Sequence, residues 1–97
     1  MHTNNGILAD LFQGKITTEK QIKAILDILG KEILDRKEIP IDFKNIKFIS
    51  VYFLERFEQL IDRAIDLGVD VRILNVQPNI YKVFQVARVK KILAICV

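Results

Sequence analysis

The stretch "FKNIKFISVYFLERFEQL", residues 43–60, places two hydroxyls, Ser50 and Tyr52, where an apolar run gives way to an amphipathic one. A strand that turns into a helix at its C-terminal end is where open α/β sheets carry their functional groups. Ser50 suits a helix N-cap: its oxygen would accept from the amide of Tyr52 or Phe53 and contribute about 1 kcal/mol. Tyr52, in the first turn, reads as an exposed aromatic contact. Asp62 and Asp66 stand one turn apart, but on the polar face of that helix, where solvation explains them better than acid–base or metal chemistry. Asp42 ends an apolar run before "FKN" and reads as a turn-maker with Asn45. Cys96, in "ILAICV", has no basic neighbour to lower its pKa and reads as core. His2 is the one histidine, so no Ser–His or Cys–His pair is expected. No glycine-rich phosphate loop and no Cys/His set for zinc is present. The expectation is a chain with no catalytic residue, no metal and no cofactor, and therefore not an enzyme.

The elements that would position this turn follow from hydrophobic spacing. "ILADLFQGKIT" (7–17) suits a strand or a helical face; a strand is the preferred reading, with a turn at Gly14. Thr18 and Gln21 have capping-box spacing, and Ile22, Ile25, Leu26, Leu29 and Ile33 form the stripe of a helix. Gly30 costs about 1 kcal/mol in a helix interior and allows a stop and restart there. "EIPIDFKNIKFIS" (38–50) reads as extended, with Pro40 disfavouring a fully paired central position. A helix over 51–67 turns Phe53, Leu54, Phe57, Leu60, Ile61, Ala64 and Ile65 to one side, and Gly68 ends it in a left-handed cap. A strand at 69–76, a helix opened by Pro78 and a last apolar strand at 91–97 complete the order. Strands alternating with helices call for a mainly parallel sheet with three crossover helices.

Ninety-seven residues make a single domain, 1–97, large enough for a core without disulfide staples. With 51% hydrophobic and 28% charged residues the chain is globular rather than disordered. One cysteine fits a reducing compartment, no apolar run approaches the ~18 residues of a membrane span, and the N-terminus lacks signal-peptide features. A cytoplasmic protein without direct membrane insertion is expected. Net charge is +3; Lys82, Arg88, Lys90 and Lys91 gather near the C-terminus, while acids dominate 55–70. No basic stripe with interleaved aromatics appears, so nucleic acid is not the expected partner.

From Ile39 onward the chain resembles the STAS domain family, the fold of bacterial anti-sigma-factor antagonists. "IDFKNIKFI" brings Asp42, Phe43, Ile46, Phe48 and Ile49 into that family's register, and "GVDVRILNVQPNIYKVFQV" does the same for Gly68, Val69, Val71, Ile73, Val76 and Pro78. "GKITT" resembles the approach to the family's first helix. The likeness is strongest over 14–93. It departs at the turn: the family's acid, phosphorylatable Ser or Thr, second Ser and Gly fall on Ser50, Val51, Tyr52 and Phe53, with Leu54 kept. Val51 has no hydroxyl to phosphorylate, so the resemblance leaves Ser50 as a shifted phosphorylation candidate, since a helix N-terminus stabilises phosphate, although the N-cap role explains it better.

The resemblance implies a regulatory, non-catalytic protein-interaction module. It would dock a partner through Ser50, Val51, Tyr52 and Phe53 and through the exposed side of the next helix, Glu55, Arg56 and Gln59, without the usual phosphoserine switch. The implied partners are a histidine-kinase-like anti-sigma ATPase or a sensory complex. The alternative is the ATPase of a phospholipid-trafficking ABC transporter. Compared with the family pattern, an opening strand and a closing helix have no counterpart. That would leave a sheet edge free to pair with a second copy as a homodimer.

Overall fold

The computed structural model describes residues 12–97; the part of the expected first strand before Phe12 lies outside them. Eight elements follow in order: β1 (Gly14–Ile16), α1 (Glu19–Asp35), β2 (Glu38–Asp42), β3 (Ile46–Ile49), α2 (Val51–Asp66), β4 (Asp70–Leu74), α3 (Pro78–Ala87) and α4 (Lys90–Ala94). β1 pairs with β3 and β2 with β4, both in parallel. The helices are the long connections that parallel pairing demands. The expected mixed α/β architecture is therefore present, with α1, α2 and α3 as the three expected helices and α4 as a short fourth.

Local chemistry accounts for the element ends. Thr18 caps α1: its hydroxyl accepts from the Gln21 amide at 3.2 Å, and the Gln21 side-chain oxygen accepts from the Thr18 amide at 3.1 Å. α1 runs unbroken through Gly30 rather than restarting there, because buried Ile22, Ile25, Leu29 and Ile33 lie on both sides of the glycine and hold the helix to the core. Gly68 takes the left-handed conformation after α2, with φ +76°. Pro40 lies in β2, whose only ladder among the described residues is with β4, a position where a missing N–H is tolerated.

The extended segment after Pro40 is two strands, not one. Asp42 breaks it by accepting the Lys44 amide at 2.9 Å, and the Ile46 amide donates to the Phe43 carbonyl at 3.1 Å. Asn75, at the end of β4, donates to the same Asp42 oxygen at 3.2 Å. Asp42 is thus the expected turn-maker, with Lys44 and Asn75 as its partners in place of Asn45. Partial desolvation pushes its carboxyl up, but the Lys44 amide, the Asn75 amide and the Lys44 ammonium outweigh that and hold it below its ordinary value.

The segment 91–97, expected as a strand, is mostly helix. Val89 and Ile92 are buried three residues apart, a helical spacing. Val89 offers no capping side chain, and Glu58 of α2 accepts the Lys91 amide at 3.0 Å in its stead. The end of the segment returns to β4: the Ile73 amide donates to the Ile95 carbonyl at 2.9 Å and the Val97 amide to the Ile73 carbonyl at 3.0 Å, a parallel bridge centred on Cys96. The half-buried Cys96 thiol donates to the Ile92 carbonyl at 3.2 Å, and burial pushes its pKa up.

Phenylalanines fill the centre. Phe43, in the turn between β2 and β3, stacks on Phe12 at 5.1 Å between ring centroids and meets Phe84 edge-on at 6.0 Å. Phe53 stacks on Phe57 at 5.3 Å, and Phe57 on Phe43 at 6.2 Å. All five rings are fully buried, and no polar or charged residue is buried among the described residues.

Gly30 gives the test of α1. It lacks a positive φ, and a Cβ there would meet nothing within 4 Å. Gly30→Ala should therefore raise stability by about 1 kcal/mol in urea unfolding; a loss of stability would mean that the helix is broken there.

Candidate functional site

Ser50 joins β3 to α2 and is held on three sides. Its amide donates to the Ile16 carbonyl at 3.1 Å, continuing the β1–β3 ladder. Its carbonyl accepts the Leu54 amide at 3.1 Å, the first helical bond of α2. Its hydroxyl oxygen accepts the Phe53 amide at 3.1 Å, the expected N-cap. The extended backbone at Ser50, φ −84° and ψ 150°, is that of a cap residue. The first turn of α2 carries no acid, so the cap oxygen is the local answer to the open amides there.

The residues around this cap face outward for a geometric reason. Gly14 pairs with Ile46 and Lys15 with Phe48, so β3 holds one residue more than β1 at that point. Such a bulge shifts the alternation of faces. Ile46 and Ile49 are buried, while Lys47 and Phe48 between them are exposed. Phe48 is 51% exposed, Val51 46% and Tyr52 51%. Three apolar or aromatic side chains thus stand in water within five residues, beside a rigidly capped helix start.

Phe48 is the residue that sequence reasoning missed: it counted only as one apolar residue of an extended run. The signal was the three-residue spacing of Ile46 and Ile49 with a lysine between, which does not fit simple alternation. Phe53 calls for a correction in the other direction. Expected at the docking surface in the place of the family's glycine, it is fully buried against Phe57 and Phe12 and offers nothing to a partner. Burying a ring of that size is worth roughly 1.5–3 kcal/mol, which ties the first turn of α2 to the core. Leu54 is buried as well.

The remaining candidates, Glu55, Arg56 and Gln59, are exposed on α2. The Arg56 guanidinium lies over the Tyr52 ring, 5.9 Å from its centroid. α2 sorts its charges by flank. On the side facing α4, Asp62 pairs with the Lys91 ammonium and holds its pKa above the ordinary value, and Glu58 takes the Lys91 amide. On the side facing α1 stand Arg56 and Arg63. Among the described residues no three His, Cys, Asp or Glu side chains are close enough to hold a metal ion. No described helix is long and apolar enough to cross a membrane.

The cap can be tested by substitution. Ser50→Ala should cost about 1 kcal/mol in equilibrium unfolding, whereas Ser50→Asp should hold stability or raise it, because Asp caps as well as Ser and adds charge at the positive helix end. Equal losses in both variants would show that the hydroxyl does something other than cap.

Comparison with known proteins agrees with this geometry. No curated protein and no solved structure matches the chain. A family model does, the STAS domain, over residues 2–96, a wider span than the 14–93 of the motif likeness. The chain belongs to the STAS domain family.

Proposed function

We propose that this protein is a non-catalytic interaction module that docks a larger protein through the β3–α2 corner. The observation that carries the reading is the exposure of Phe48, Val51 and Tyr52 around a helix start that is itself pinned by the Ser50 cap and by buried Phe53. Apolar side chains held in water on a rigid frame are what a partner's pocket can cover at little ordering cost. Tyr52 with Arg56 over its ring supplies the residue types that dominate binding energy at interfaces. Glu55 and Gln59 would form the polar rim.

Docking at this corner would not be switched by phosphate at Val51, which has no hydroxyl. Ser50 is a poor acceptor in its place, since its oxygen is committed to the Phe53 amide and the residue is only partly exposed. This supports a persistent complex over a phosphorylation-released one. The partner classes that the family suggests are a histidine-kinase-like anti-sigma ATPase, a sensory complex, or the ATPase of a phospholipid-trafficking transporter, the last fitting a persistent complex best.

A photo-crosslinking amino acid at position 51, with a control at Val86 on α3, tests the reading in the native cell. Val86 is 73% exposed and remote in sequence from the corner. The expected result is a discrete protein adduct from position 51, unchanged by phosphatase treatment, and none from position 86. No adduct from 51, or the same adducts from both positions, would contradict it.

A further inference from the structure

We infer that the furrow between α1 and α2 receives an acidic segment of the partner protein that carries apolar side chains on one face. The inference rests on the docking role of the corner and extends that site along α2 to name its partner's chemistry. The furrow starts at Tyr52 as a hollow of about 410 Å³ and continues, through shared Leu26 and Arg56, into one of about 290 Å³ that ends at Arg63. From Tyr52 to Arg63 it follows three turns of α2, about 16 Å at the helical rise. Its floor is apolar: Ile22 is buried, and Leu26 and Leu60 are half-buried against the core.

Its walls are cationic. Lys20 and Lys23 of α1 and Arg56 and Arg63 of α2 line it, against two acids, Glu19 and Asp27. None of these four cations forms an ion pair with another described residue; the pairs that do form lie elsewhere. The contrast with the other flank of α2 is direct, since Asp62 there is met by Lys91 from within the fold. One side of the helix is neutralised internally and the other is left with positive charge over an apolar floor. Carboxylates on a segment whose apolar side chains reach Leu26 and Leu60 would complete both. A flat anionic membrane could meet the lysines but could not enter the furrow.

Titration of the 15N-labelled full chain with a synthetic helix-forming peptide, leucines at i, i+3 and i+7 and glutamate at the other positions, tests this by NMR. Amide shifts should concentrate at Lys23, Leu26, Arg56 and Leu60. A Lys23→Glu/Arg63→Glu double variant should bind roughly tenfold more weakly or worse, while Lys37→Glu, outside the furrow, should bind as the parent does. Both variants must keep a dispersed spectrum, which separates lost binding from lost folding. No shifts at millimolar peptide, shifts elsewhere, or equal binding of a lysine-substituted peptide would overturn the inference. So would furrow shifts produced by phosphatidylglycerol vesicles or by self-association instead of the peptide. The crosslink at position 51 keeps the two readings apart. Adducts there with a silent furrow refute the acidic segment alone, and absence of both refutes the corner as well.

Discussion

Gly14 pairs with Ile46 and the next residue, Lys15, pairs with Phe48, so β3 can lie beside β1 only by leaving Lys47 out of register. Much of the molecule's character follows from that one unpaired residue. Strict alternation would bury Phe48 with Ile46 and expose Ile49. The bulge reverses the last two, and Ile49 rather than Phe48 enters the core. Half-exposure of Phe48 forfeits part of the roughly 1.5–3 kcal/mol that burial of its ring would contribute. The burial of Ile49 and the ladder bond from Ser50 to Ile16 are made in return. Ser50 then starts α2 at a fixed point against β1. From that start Phe53, Leu54, Phe57 and Ile61 fall inward, and Val51, Tyr52, Glu55, Arg56 and Gln59 fall outward.

The phenylalanine cluster makes this arrangement rigid. Phe43 from the β2–β3 turn and Phe53 and Phe57 from α2 are linked by ring contacts, so the two sides of the corner share one core. Surface charge completes the division of labour on α2. Glu58 and Asp62 are engaged by the C-terminal helix, which they help to place, while Arg56 and Arg63 remain toward α1. One helix therefore both secures the C-terminal segment and presents a cationic edge.

What could be read from residues alone was local and strongly determined. The Thr18–Gln21 capping box, the Ser50 cap, the apolar stripe of α2 and the left-handed Gly68 each depend on chemistry within one helical turn, and all are present. What could not be read depended on distant partners. "KILAICV" is as apolar as a strand, and becomes a helix because Glu58, more than thirty residues earlier, caps it. Phe53 occupies a position where the family carries glycine, and its inward direction follows from the phase of α2 set at Ser50. Phe48 could not be recognised as a surface residue because the bulge belongs to the pairing of two strands, and neither strand announces it alone. The furrow was invisible for the same reason: its cations come from two different helices, brought together only by packing.

The claim on which the account depends is that the corner turns Phe48 and Tyr52 to water while Phe43, Phe53 and Phe57 stay sealed. Hydroxyl-radical footprinting of the native protein, read by mass spectrometry at single residues, measures this directly. The account predicts rapid modification of Phe48 and Tyr52 and strong protection of the three core rings. Labelling of Phe53 as fast as Tyr52, or protection of Phe48, would contradict it.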